Sequence, residues 1–214
     1  MCHISVIEWF IEEVAANPEQ FKNKRILEVG SRYVNGSVRP LIEKFCSPRE
    51  YIGIDIEEGK YVDIVLPAER LIEYFGEQSF EVVISTELLE HVRDWRLVIN
   101  NMKDVLKPNG LIFISTRSYG FPYHGYPHDY WRYEIEDMKK IFSDFNILRL
   151  QKDQFVNGLF LKAQKPENYQ KKDLNNIALY SIAIGKRTLT TPNISLRRKL
   201  LLALRKYRII KQVI

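Results

Sequence analysis

Arg25-Ile26-Leu27-Glu28-Val29-Gly30 is a short, nearly all-apolar run that ends in a glycine. Such a run suits a strand covered on both faces, because it lacks the polar alternation of a half-exposed one. Tyr51-Ile52-Gly53-Ile54-Asp55-Ile56, Val62-Asp63-Ile64-Val65, Phe80-Glu81-Val82-Val83-Ile84-Ser85 and Leu111-Ile112-Phe113-Ile114-Ser115 have the same character. Between them fall helical spacings: Val38, Leu41, Ile42 and Phe45, then Trp95, Val98, Ile99, Met102 and Leu106, closed by Lys107-Pro108-Asn109-Gly110. Ile4, Ile7, Phe10, Ile11 and Val14 predict a further helix ahead of the first strand, ended by Asn17-Pro18. Alternating strands and helices predict βαβ units and an α/β, doubly wound, mostly parallel sheet.

Composition narrows the class. Hydrophobic residues make up 45% of the 214, enough for a sizeable core. No apolar run of about 18 residues predicts a membrane span. The acidic Glu8, Glu12 and Glu13 argue against a signal peptide, so a cytoplasmic location is expected. Cys2 and Cys46 have no ligand spacing, so free thiols and no metal are expected. The net charge of +5 is unevenly spread. Nine of the 32 Lys and Arg follow Leu174, where no acid occurs, leaving 23 bases against 27 acids before it. The body is therefore mildly acidic, which argues against a nucleic-acid surface.

In an open parallel sheet, ligands bind at the carboxyl ends of the strands. Gly30 and the loop Ser31-Arg32-Tyr33-Val34-Asn35-Gly36 follow the first strand, and Asp55 ends the second as a carboxylate able to accept from a ribose diol. Glu28-Val29-Gly30 with Gly36, then Asp55, then Ser85-Thr86-Glu87-Leu88-Leu89-Glu90-His91-Val92, resembles the class I S-adenosylmethionine-dependent methyltransferases. Val105-Leu106-Lys107-Pro108-Asn109-Gly110-Leu111 is similar to that family's approach to its fifth strand. The resemblance covers roughly residues 24–118, and more weakly to about 163. It implies a seven-stranded Rossmann-like sheet whose last strand is antiparallel, with residues 146–150 and 155–161 as the final hairpin. It also implies S-adenosylmethionine as cofactor, with Glu28, Gly30, Ser31, Gly36, Asp55, Ile56, Ser85, Glu87 and His91 around it. The loop after the first strand departs from the usual glycine-rich run, and Glu69 is the nearest substitute for a carboxylate facing the adenine. A nicotinamide dinucleotide would suit the acidic strand end too, but GxGxxG is absent.

Gly120 to Tyr133 packs His124, His128, Asp129, Arg132 and six aromatic residues into fourteen positions after the fifth strand. Such a loop can cover an acceptor and move a proton. His124, His128 and Asp129 are the catalytic candidates, and Tyr123, Tyr126, Tyr130, Trp131 and Arg132 the substrate-binding ones. With no Asn-Pro-Pro-Tyr type motif, the expected acceptor is a hydroxyl oxygen of a small or carrier-linked molecule, such as a sugar or glycan intermediate. The polar stretch Gln164–Asn176 reads as a linker, dividing a domain of residues 1–165 from a basic helical extension of residues 166–214. From Ser195 onward, apolar and basic residues share a helical pattern. It fits a peripheral membrane contact or a contact between two subunits. The rival to an enzyme is a non-catalytic partner subunit that keeps the fold and interacts through this tail.

Overall fold

The structure is a computed structural model that describes residues 3–125 and 128–190. Helix α1 (Ile4–Ala16) precedes strand β1 (Arg25–Val29). Helix α2 (Arg39–Cys46) connects β1 to β2 (Glu50–Asp55), and a two-residue β3 (Ile64–Val65) and short α3 (Leu71–Phe75) lead to β4 (Phe80–Thr86). Helix α4 (Trp95–Val105) then feeds β5 (Leu106–Arg117). The order across the seven-stranded sheet is β3-β2-β1-β4-β5-β8-β7, with β7 at Asn146–Lys152 and β8 at Gly158–Gln164. Strands β1 to β5 pair in parallel, and β8 runs antiparallel to both its neighbours. This is the sheet that the resemblance implies.

Both faces are covered, which explains the near-continuous apolar strands. On one face Ile26, Val82, Ile84 and Phe113 meet Val6, Trp9 and Phe10 of α1 and Ile42 of α2. Trp9 stacks on Phe160 with ring centroids 4.9 Å apart. On the other face Leu27, Val29, Val83 and Ile112 meet Val98, Ile99 and Met102 of α4. Lys107-Pro108-Asn109-Gly110 does close α4, but the chain is already in the sheet. Phe80 pairs with Leu106 and Val82 with Leu111, so these four residues bulge out of β5.

The boundary expected after residue 165 does not fall there. Leu174, Ile177 and Leu179 belong to the main core, and Arg96 of α4 donates to the carbonyls of Leu174 (2.9 Å) and Ile177 (2.7 Å). Strand β6 (Trp131–Arg132) pairs with β9 (Leu179–Ser181), which also pairs with β10 (Lys186–Thr188) in a small antiparallel sheet. Residues 166–190 thus complete the body. The basic pattern from Ser195 lies outside the described residues. Helix α5 (Ile135–Ile141) starts with a capping box between Glu134 and Asp137 and leads into β7.

Candidate active site

A cleft of about 260 Å³ opens at the carboxyl ends of β1, β2 and β4. Gly30 sits there with φ of +83°, and an added Cβ would lie 3.1 Å from Leu88, so both backbone and space call for glycine. The N–H groups of Gly30 and Ser31 donate to Ile54 O, each at 2.9 Å, tying the loop to β2. Asp55 accepts from the N–H of Glu57 at 3.2 Å. Ile56, Leu66, Ala68 and Glu69 form one flank, while Glu87, His91 and Tyr130 form the other.

Past β4 the chain turns sharply. Glu87 has φ of +55°, a region costly for a side-chain-bearing residue. Its N–H donates to Ser115 O at 3.0 Å, which holds the turn. Burial and the neighbouring Glu90 raise its carboxyl to about 8, although it is ion-paired with Arg117. Glu90 is fully buried and accepts from Thr116 Oγ1 at 2.8 Å. Burial opposes its charge, but the adjoining His124 and His91 hold it below the usual carboxylate range.

His124 reaches this cluster from the aromatic loop. Its Nδ1 lies 3.0 Å from Asp129 Oδ2, and its Nε2 lies 3.8 Å from Glu90 Oε1. Burial works against its charged form, yet Asp129 and Glu90 outweigh that and raise it to about 9. Asp129 is clamped by Arg132, with Nη2 to Oδ2 at 2.7 Å, and despite its burial that pairing holds it well below its ordinary value. The His91 ring lies 4.7 Å from that of His124, and its Nδ1 is 2.5 Å from His128 O.

Of the residues expected around a cofactor, Gly30, Asp55, Ile56, Glu87 and His91 line the cleft. Glu28, Ser31, Gly36 and Ser85 do not. Glu28 faces the α1–α2 side of the sheet, where Tyr51 Oη donates to it at 2.8 Å and burial raises it to about 7. Ser31 is buried with Oγ 3.3 Å from Ile54 O, Ser85 is fully buried within β4, and Gly36 lies in the loop outside the cleft lining.

Of the catalytic candidates, His124 and Asp129 come together, but His124 holds its proton firmly rather than standing ready as a base. His128 brings only its carbonyl, while its ring packs against Tyr130 at 5.6 Å. Of the substrate-binding candidates, Tyr130 lines the cleft. Tyr123 folds over Gly125, whose added Cβ would meet its hydroxyl at 2.5 Å. Trp131 is a core residue donating to Val92 O at 3.0 Å, and Arg132 is buried in its pairing with Asp129. Tyr126 lies outside the described residues. Sequence reasoning missed Glu90, Thr116 and Arg117 as members of the site, although Glu90 stands three residues past Glu87 in the run that carried the resemblance.

Residues 6–171 match the methyltransferase domain family. A stretch of 68 residues is 44% identical to a ubiquinone biosynthesis O-methyltransferase of Pasteurella multocida, covering 31% of this chain and 26% of that protein. The match thus spans about a quarter of that relative's length. Among solved structures, the N-methyltransferase NodS of Bradyrhizobium japonicum aligns with a TM-score of 0.57 at 12% identity, over 77% of this chain and 98% of that one. The Burkholderia thailandensis 1,6-didemethyltoxoflavin-N1-methyltransferase, solved with 1,6-didemethyltoxoflavin and S-adenosylhomocysteine bound, aligns with a TM-score of 0.55 at 13% identity, over 76% and 88%. At such identities the structural likeness speaks for the fold. Together with the family match over most of its length, it makes this chain a member of the methyltransferase domain family, the class I S-adenosylmethionine-dependent methyltransferases.

Proposed function

We propose that the protein methylates a hydroxyl oxygen of a small or carrier-linked acceptor, a sugar or glycan intermediate being the first candidate. The cleft fits S-adenosylmethionine in the chemistry of its walls. The glycine at residue 30 leaves the backbone open to the methionine end, Asp55 offers acceptors to the ribose diol, and Ile56, Leu66 and Ala68 make an apolar flank for the adenine. The bound cofactor supplies an electrophilic methyl group, so the protein's task is alignment, exclusion of water and disposal of a proton. Glu87, His91 and Tyr130 border the side from which an acceptor would enter.

The observation that carries the reading is the buried polar group Glu90–His124–Asp129–Arg132 set directly behind that wall. Burying such groups is costly unless each is paired. A partner subunit without catalysis has no use for that arrangement beside an open cleft. The local identity to an O-methyltransferase supports oxygen as the accepting atom. Among the described residues no helix is long and apolar enough to cross a membrane.

The test has two stages. Calorimetric titration with S-adenosylhomocysteine should show one site per chain. Methyl-labelled cofactor is then offered to sugars, lipid-linked glycans and catechols, and the product is located by NMR. Label on oxygen supports the proposal. Label on nitrogen, or transfer to none of these classes despite cofactor binding, overturns it.

A further inference from the structure

Three side chains beside the cleft converge with atoms left unsatisfied. A ligand atom from each of Glu90, His91 and His124 lies within 4.8 Å of the other two. Glu90 is fully buried, and neither its Oε1 nor the buried Nε2 of His91 has a hydrogen-bond partner. A buried polar atom left unpaired costs about 1–3 kcal/mol, so two pointing at one spot imply something that satisfies both.

The far side of each group is held in place. Glu90 Oε2 accepts from Thr116 Oγ1 at 2.8 Å. His91 Nδ1 lies 2.5 Å from the carbonyl of His128, which takes a donor N–H there and makes Nε2 the nitrogen left for a ligand. His124 Nδ1 faces Asp129 Oδ2 at 3.0 Å, and Arg132 fixes Asp129 in turn. Imidazoles that bind metals almost always have their other nitrogen directed at a carbonyl or carboxylate, and here His91 sets Nδ1 on the His128 carbonyl and His124 sets Nδ1 beside the Asp129 carboxylate.

We propose that Glu90, His91 and His124 bind a divalent first-row transition-metal ion whose remaining coordination positions face the cleft. Two imidazole nitrogens and one carboxylate suit ions from manganese to zinc better than magnesium or calcium, which prefer oxygen-only sets. Ligands about 2.1 Å from one ion sit roughly 3–4 Å apart. The 3.8 Å between Glu90 Oε1 and His124 Nε2 is already within that span. His91 lines the cleft with Glu87 and Tyr130, so an ion there meets an oxygen brought in by the acceptor. Binding that oxygen would ease loss of its proton to water. This last consequence rests on the proposed function, whereas the binding of the ion does not.

The full chain, stripped with a chelator, is titrated with Co²⁺ by visible absorption and with Zn²⁺ by calorimetry. One equivalent of Co²⁺ should give the absorption of an ordered nitrogen–oxygen site, and Zn²⁺ should displace it. His91→Gln and His124→Gln should each weaken binding more than about 10-fold, and Asp129→Asn, which leaves all three ligands, by about 10- to 100-fold. His3→Gln, at the start of α1, should change nothing. Absence of stoichiometric Co²⁺ binding by the unaltered chain overturns the proposal, whatever the variants do. So does binding that survives both histidine substitutions. S-adenosylhomocysteine titrated into the same samples reports separately on the cofactor cleft. Cofactor binding without Co²⁺ binding therefore sinks the metal site alone, and the converse sinks the methyl-transfer reading alone.

Discussion

Replacing Glu28 with glutamine should make the protein more stable at neutral pH and leave its cofactor affinity unchanged. Alternate residues of β1 face opposite sides of the sheet, which places Leu27 and Val29 against α4 and Glu28 on the side of α1 and α2. There Tyr51 Oη donates to its carboxylate at 2.8 Å, but burial dominates and raises the carboxyl from 4.5 to about 7. A gap of that size is worth about 3 kcal/mol of preference for the protonated form. Because the folded chain holds this proton more tightly than the unfolded one, the favourable contribution is fully present below pH 4.5. It is lost as pH rises through 7. Glutamine keeps an acceptor for Tyr51 and never ionises. The two proteins should therefore match near pH 4.5 and diverge to about 3 kcal/mol by pH 7.5 in favour of the variant, or about 6–12 °C in Tm for a chain of this length. Other buried carboxylates, such as Glu87 and Glu90, titrate in both proteins and cancel in the difference. Urea unfolding followed by tryptophan fluorescence at several pH values measures it, since Trp9, Trp95 and Trp131 are all buried. A stability difference that does not vary with pH would refute the reasoning. A loss of S-adenosylhomocysteine affinity would return Glu28 to the cofactor site.

Asp55→Ala should weaken S-adenosylhomocysteine binding by about 10- to 150-fold through loss of roughly 1.5–3 kcal/mol of hydrogen bonding, as read by calorimetry. An unchanged dissociation constant would remove Asp55 from the ribose subsite. Arg132→Met strips Asp129 of its bidentate partner and should cost about 3 kcal/mol, seen as a lower Tm, because a buried carboxylate left half-paired is strongly destabilising. A Tm equal to that of the unaltered chain would show that His124 alone suffices for Asp129. Deleting residues after Asn193 should leave cofactor binding intact and reduce sedimentation with anionic vesicles, an attraction that should also fade with added salt. A change in oligomeric state with no vesicle effect would make the tail a subunit contact instead.

The sheet was legible because fully covered strands must be apolar throughout, and only a few topologies arrange such runs with helices between them. The edge residues Gly30, Asp55 and Glu87 were legible for a related reason, since parallel strands deliver their carboxyl ends to one crevice. What sequence could not give was facing. In a strand buried on both sides, Glu28 has no polar neighbour pattern to show which side it takes, so adjacency to Gly30 misplaced it in the cleft. The stretch Gln164–Asn176 misled in the opposite direction. Its solvated residues outnumber its anchors, yet Lys165 donates from a buried position to the carbonyls of Lys103 and Leu106, each at 2.7 Å, and Leu174 reaches the core. A few tertiary contacts are enough to hold a segment whose local composition says linker. The aromatic loop shows the same limit in the site itself. Its polar residues read as an array waiting for an acceptor, but Arg132 and Asp129 are spent on one another, and His124 is turned toward Glu90, a residue of the preceding crossover. Composition names the groups that chemistry needs, whereas pairing decides which remain free to do it. Beside the cleft, Oε1 of Glu90 and Nε2 of His91 are among the buried atoms of the described residues that no hydrogen bond satisfies.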